Sequence, residues 1–524
     1  MAAHSLDANH RDRRHEPLLY PVVGIFVEGV MQRIRLGHVI DLLREMPDGS
    51  VQCVVTSPPY FGLRDYGLEA VIWEPVQYSP MPGMPIMAVP GHANPKAYAT
   101  CEHDWEEWSE SHDVREKPIS GKTRTTDRSY GGDASRRFDG NHQKHAHGQF
   151  CRICGAWRGC LGLEPFPELY IGHLVQVFRE LRRVLREDGT LWLNLGDSYA
   201  SGNRAARDPD KKLPDRGMCV RSSDPSGIKP KDLLGIPWRA AFALQADGWF
   251  LRSDITWAKV NAMPESVTDR PTRSHEMLFL LSKKQRYFYD HIAIREPHKS
   301  DSIARTRRGR ADKHKWTNGP GKQSIANDLS KALHPDGRNK RDVWSISTKP
   351  YKGAHFAVMP PDLVEPCILA GTSEAGCCPH CGTPWRRVIE KVACQPGEVP
   401  PSYCGSSFQK GKTRDARSPM AEVGDKPRTA KTRTIGWEPA CQCPEHQATP
   451  SVVLDPFGGS GTVGMVAQRF GRDWLLIEAN PRYADLAEDR LSQPPRAASR
   501  SAARQKKETS TTNQQVLPFE LIEA

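Results

Sequence analysis

Apolar positions in this chain come in short blocks separated by long polar stretches, and two periods recur within the blocks. Residues 167–186, PELYIGHLVQVFRELRRVLR, repeat at three and four. Ile171, Leu174, Val175, Phe178, Leu181 and Leu185 share one face, which predicts an amphipathic helix. A turn at 187–189 then leads into TLWLNL, 190–195, a continuous apolar run that predicts a buried strand. Residues 31–60 read as strand, helix, strand, with helix formers at 41–46, a turn at 47–49 and an apolar run at 51–55. Near the carboxyl end, 452–454 predicts a strand, followed by a glycine-rich turn and a helix to about Phe470. A second strand at 474–477 ends in Glu478. Helices alternating with strands in this order predict an α/β fold with a parallel sheet.

The polar stretches interrupt this core. Residues 117–149 are rich in Gly, Ser, Arg, His and Asp and predict a loop or disordered insertion. Residues 200–229 are similar. Residues 300–341 carry eleven Lys/Arg against four Asp, and 401–436 carry eight against three acidic residues. The chain has 524 residues, long enough for two or more domains, and a net charge of +11 with a pI near 9.0. Basic loops set between core elements point to a polyanionic partner. No run approaches the roughly 18 apolar residues of a membrane span. The amino-terminal residues 1–14 lack the apolar segment of a secretory signal, so the expected location is cytoplasmic. In a reducing compartment, 14 cysteines favour metal sites over disulfides.

Two motifs carry chemistry. The apolar run at 51–55 stops at Thr56-Ser57-Pro58-Pro59-Tyr60. Neither proline can donate to a sheet ladder, so a stiff loop begins at a strand's carboxyl end, where open α/β folds bind ligands. The second motif, Asp455-Pro456-Phe457-Gly458-Gly459-Ser460-Gly461-Thr462, is a glycine-rich turn between a strand and a helix. Glycines there admit a ligand close to the backbone, and an acid such as Glu478 ending the next strand can hold ribose hydroxyls.

TSPPY with DPFGGSGT resembles the amino-group DNA methyltransferases that use S-adenosylmethionine, in the β-class order with the catalytic motif first. TSPPYFGLRDYG (56–67), GTLWLNLGDSYA (189–200), WAKVNAMPESVTDRPTRSHE (257–276) and HFAVMPPDLVEPCILAGTS (355–373) extend the resemblance over most of 31–491. It departs at His38, which follows Gly37 where relatives commonly carry Asp, so the adenine contact of that position is not carried over. The resemblance implies a Rossmann-like methyltransferase sheet and catalytic roles for Ser57, Pro58, Pro59 and Tyr60. The Ser57 hydroxyl and Pro58 carbonyl would accept from the target amino group, and Tyr60 would stack on the flipped base. Asp455, Pro456, Phe457, Gly459, Gly461, Thr462 and Glu478 would bind S-adenosylmethionine. Serine at the first motif position leans toward cytosine N4. The alternatives are adenine N6 by the same mechanism, or a non-catalytic zinc-stabilised DNA-binding protein with a methyltransferase-like core. The expected partner is double-stranded DNA, with a cognate restriction endonuclease as a second.

The cysteines fall into two sets. Cys101 and His103 precede Cys151 and Cys154; Cys378 and Cys381 precede Cys441 and Cys443. Each offers four N/S ligands in two close pairs, the pattern of a structural zinc ribbon, against the plainer reading of free thiols in loops. Two structural Zn2+ are therefore expected. Competing ligands are His145 or His147 for the first set, and Cys377, His380 and His446 for the second. The expected division places core at 18–100, 161–299, 342–376 and 448–492, and zinc-ribbon-like insertions at 101–160 and 377–447. It leaves a basic target-recognition loop at 300–341 and a disordered tail at 493–524. Gln514, Leu517 and Phe519 in the tail have the spacing of a sliding-clamp peptide, against the reading of a bland apolar tail.

Overall fold

The structure, a computed structural model, describes residues 32–62, 66, 68–106, 148–200, 228–298, 337–349, 358–393, 430–444 and 447–492. Its centre is an eight-stranded sheet in the order Gln32–Leu36, Asp473–Glu478, Val452–Asp455, Val51–Thr56, Leu185–Leu195, His275–Ser282, Phe250–Lys259, Val343–Ile346. Neighbours run parallel except His275–Ser282, which is antiparallel to both strands beside it. The parallel sheet expected from sequence is thus mixed. The reason lies in the connection over 260–274, which contains no helix, whereas a parallel return needs a crossover.

Strand Val51–Thr56 is buried along its whole length, because helices cover both faces of the sheet. Val54, Leu191, Leu193, Phe279, Leu475 and Ile477 point to a core shared with helices Val39–Arg44, Pro167–Val184 and Ile236–Ala246. Cys53, Val55, Trp192, Leu278, Trp474 and Leu476 point to the other, under helices Pro361–Gly371, Thr462–Arg469 and Pro481–Leu491. Each strand divides its residues between the two by simple alternation.

The expected helix over 167–186 ends at Val184, where Leu185 turns to extended backbone. The turn expected at 187–189 is a bulge within one long strand. Val51 pairs with Leu185 and Cys53 with Thr190, so the intervening residues loop out of the ladder. Among the described residues no helix is long and apolar enough to cross a membrane.

Candidate active site

Three adjacent strands end on one edge of the sheet and bring the two motifs together. Val51–Thr56 delivers Ser57-Pro58-Pro59-Tyr60, its neighbour Val452–Asp455 delivers the glycine-rich turn, and Asp473–Glu478 delivers Glu478. Thr56 Oγ1 donates to Asp455 Oδ1 at 2.7 Å, joining motifs 399 residues apart in the chain. Tyr170, in the first turn of its helix, donates its hydroxyl to the Pro59 carbonyl at 2.7 Å. Gly62 N donates to the Gly162 carbonyl at 2.7 Å. The proline loop is therefore held at both ends.

A chain of hydrogen bonds leaves Ser57. Its Oγ donates to the Tyr60 hydroxyl oxygen at 3.3 Å. The Tyr60 hydroxyl donates to Glu276 Oε2 at 2.7 Å, with Asn194 Oδ1 3.2 Å away. The other oxygen of Glu276 pairs with Lys259 Nζ. Because His275–Ser282 runs antiparallel, its amino end meets the carboxyl end of Phe250–Lys259, so Glu276 and Lys259 reach the same edge as Ser57. Burial, with the Glu276 charge adding to it, holds the Tyr60 phenol well above its usual range, so it remains protonated. The ring lies against Gly196, where an added Cβ would come within 2.6 Å of Cε2.

The glycine-rich turn is built around two carboxylates. Gly461 sits at φ +75° beneath Ala487, and a Cβ there would lie 3.0 Å from the alanine Cβ. It is therefore strained for any side chain and also crowded. Glu478 accepts Gly459 N at 2.7 Å on one oxygen and Asn480 N at 2.8 Å on the other. Arg490 Nη1 donates to Thr462 Oγ1 at 2.9 Å and to the Ser460 carbonyl at 3.1 Å. Asp455 Oδ1 also accepts Phe457 N at 3.1 Å, so Asp455 staples the two loops, while Gly461 occupies the N-cap of Thr462–Arg469. Phe457 is half-buried against the core. Gly37 N donates to the Glu478 carbonyl at 2.9 Å, and the following His38 directs its ring edge-on to Trp73, 4.9 Å between centroids.

Burial raises the Asp455 carboxyl from 3.8 to about 7, opposed by its two hydrogen bonds and assisted by the Glu478 charge. The Glu478 carboxyl is also raised by burial. The sign for Asp455 follows from its raised value. The folded protein keeps a proton that the unfolded chain has already released, so this residue's contribution to stability declines as pH rises from about 4 to about 7. Asp455→Asn is expected to flatten the profile of Tm against pH in that window; an unchanged slope in a calorimetric series would exclude Asp455 as its source.

Both cysteine sets assemble. Cys101, His103, Cys151 and Cys154 place their ligand atoms within 4.8 Å of one another, as do Cys378, Cys381, Cys441 and Cys443. Of the competing ligands, Cys377 instead contacts Thr449 Oγ1 and the Pro450 carbonyl. His380 lies outside the four-ligand group. His145, His147 and His446, most of the basic loops at 200–229, 300–341 and 401–436, and the tail with Gln514, Leu517 and Phe519 lie outside the described residues. Sequence reasoning missed Glu276, Lys259 and Asn194. All three stand in quoted stretches, but no spacing signals that they converge on Tyr60.

The chain matches the N6/N4 family model described as DNA methylase over residues 51–378 and 447–489. It is 34% identical over 455 residues to the Type II methyltransferase M.Cfr9I of Citrobacter freundii, covering 87% of this chain and 86% of that protein. It is 38% identical over 333 residues to M.SmaI of Serratia marcescens, covering 64% of this chain and 77% of that one. Among solved structures, the cytosine-N4-specific PvuII DNA methyltransferase is similar over 90% of each chain at 12% identity and a TM-score of 0.38, too distant to bear on the target base. The chain belongs to the N6/N4 DNA methylase family, and it is a DNA methyltransferase of the amino-group type.

Proposed function

We propose that this enzyme methylates cytosine at N4 within a defined short sequence of duplex DNA, using S-adenosylmethionine and the Ser57–Tyr60 loop. The observation that carries the reading is the direction of the hydrogen-bond chain. Glu276 accepts from Tyr60, Tyr60 accepts from Ser57, and the Ser57 oxygen is left with its lone pairs as acceptors. An exocyclic amino nitrogen is a poor nucleophile because its lone pair is delocalised into the base. An acceptor that draws on its N–H bonds localises that pair on nitrogen. Ser57 Oγ and the Pro58 carbonyl are the acceptors in this reading, and the two prolines fix the carbonyl's direction. Tyr60 offers the ring on which the flipped base stacks.

The glycine-rich turn fits the cofactor. Asp455 and Glu478 are acids whose partners are a hydroxyl and backbone N–H groups. A cofactor bearing ammonium and sulfonium groups supplies the positive charge that these sites lack, and its ribose hydroxyls suit the lone pairs remaining on Glu478. S-adenosylmethionine held by Asp455 and Glu478 would supply an electrophilic methyl, passed from its sulfonium to the amino nitrogen with the thioether as leaving group, and the nitrogen's proton would pass to solvent. Ser57 favours cytosine over adenine through the family resemblance of its motif. A cognate endonuclease suits a chain similar to Type II methyltransferases.

The test is product analysis. Duplex DNA of mixed sequence is incubated with enzyme and S-adenosylmethionine, digested to nucleosides and examined by mass spectrometry. N4-methylcytosine is expected. N6-methyladenine would overturn the base while keeping the acceptor mechanism, and no methylated nucleoside would support a non-catalytic DNA-binding core.

A further inference from the structure

We propose that the two four-ligand groups are structural zinc sites with separate duties: the first buttresses the catalytic loop, and the second closes the opposite end of the sheet. Zn–S bonds of about 2.3 Å at tetrahedral angles set ligand sulfurs about 3.8 Å apart, and an S···N edge about 3.6 Å. Cys101 Sγ and Cys151 Sγ are 3.7 Å apart, and Cys154 Sγ lies 3.5 Å from His103 Nδ1. Both pairs sit at the edge lengths of a tetrahedron around one ion. Four protein ligands fill the coordination sphere, so each site is structural rather than catalytic.

The surroundings separate the two sites. In the first, Gly155 N donates to the Cys151 carbonyl and Cys151 N to the Ala156 carbonyl, forming a tight knuckle. The knuckle leads into strand Trp157–Gly159, which pairs with Val71–Trp73. Trp157 and Trp73 both stack on His173, at 5.2 and 4.7 Å. His173 Nδ1 is bonded to Glu164 at 2.8 Å, and Glu164 accepts Gly162 N at 2.7 Å. The Gly162 carbonyl in turn holds Gly62 N, next to the catalytic loop. A continuous series of contacts therefore runs from the knuckle to the loop that bears Ser57.

The described contacts of the second site lead to a different part of the sheet. Its ligands flank a two-stranded hairpin, Arg386–Ala393 with Ala430–Glu438, and pinch it at the base. Arg186 donates to the Cys381 carbonyl and to Thr383 Oγ1. A Cβ on Gly382 would lie 3.1 Å from Gln52 Nε2. Gln52 is the second residue of the strand whose other end leads to Ser57, so this site caps the edge remote from that loop. Arg387 fastens the hairpin to Asp290 at 2.6 Å and to Glu374 at 3.1 Å.

Elemental mass spectrometry of the full-length protein, purified without chelator, is expected to find two zinc ions per chain, one for each group. Cys154→Ser and Cys381→Ser should each lose one. Hydrogen–deuterium exchange then separates the duties. Cys154→Ser should speed exchange about tenfold or more at 57–62 and 157–164 and leave 376–393 protected; Cys381→Ser should do the reverse. The same pattern in both variants would overturn the division of duties. Less than two zinc in wild type, with no thiolate-to-cobalt absorption after reconstitution with Co2+, or iron in place of zinc, would overturn the metal assignment. If the serine variants do not fold, His103→Cys retains four ligands and should shift the cobalt spectrum toward an all-thiolate site. An unshifted spectrum would remove His103 from the site and overturn it. None of these readouts depends on which base is methylated.

Discussion

Glu276→Gln is expected to lower kcat about 100-fold, the scale found when one oriented polar group is lost from a reacting centre, while cofactor affinity stays within about twofold of wild type. Glu276 touches neither motif turn backbone nor the glycine-rich loop; it acts through the Tyr60 hydroxyl 2.7 Å away. As a carboxylate it can only accept, and this fixes the Tyr60 proton toward Glu276 and the Ser57 proton toward Tyr60. Glutamine breaks that polarity. Lys259 beside it takes the amide oxygen, and the amide N–H then faces Tyr60. The phenol must accept this bond, so its own proton swings to the acceptors left in reach, Asn194 Oδ1 at 3.2 Å or Ser57 Oγ at 3.3 Å, and on Ser57 it occupies a lone pair meant for the target amino group. Single-turnover kinetics at saturating cofactor would show the loss in the transfer step. Adding Ser57→Ala to Glu276→Gln should cost little more, because residues acting as one unit are not additive. A kcat within about threefold of wild type would rule out the oriented chain.

Glu478→Gln is expected to weaken S-adenosylmethionine binding about 10- to 100-fold, with a smaller effect on the transfer rate once cofactor is saturating. The glutamate accepts a backbone N–H on each oxygen, from Gly459 and from Asn480. A glutamine has one accepting oxygen and an N–H2 group, so one of the two amides faces a donor and loses its bond. A buried unsatisfied donor costs about 1–3 kcal/mol, or roughly one to two decades of affinity if the turn must be reordered on binding. In the proposed reading Gly459 is in the turn that admits the cofactor, so the cost falls on affinity before it falls on chemistry. Isothermal titration with S-adenosylmethionine would read the change directly, and undiminished affinity would show that the turn does not depend on this carboxylate.

The Ser57–Tyr60 loop, the turn from Asp455 to Thr462, Glu478 and the cysteine pairs were legible in the chain alone. Their signals are local: proline ends a ladder, glycine permits positive φ, and ligand pairs need close spacing. The helix over 167–184 was legible for the same reason, since its apolar face repeats within a few residues. The antiparallel strand His275–Ser282 was not, because direction depends on how a connection closes rather than on the strand's own residues. Strand order brings Thr56 to Asp455 across 399 positions and sets the second cysteine group at the edge remote from Ser57. The reversed strand carries Glu276 to Tyr60, with Lys259 and Asn194 beside it. Local sequence thus determined which groups the proposed chemistry draws on. Tertiary structure decided which of them meet, because hydrogen-bond polarity and ion pairing depend on distances of a few ångströms, which only sheet register and strand direction fix.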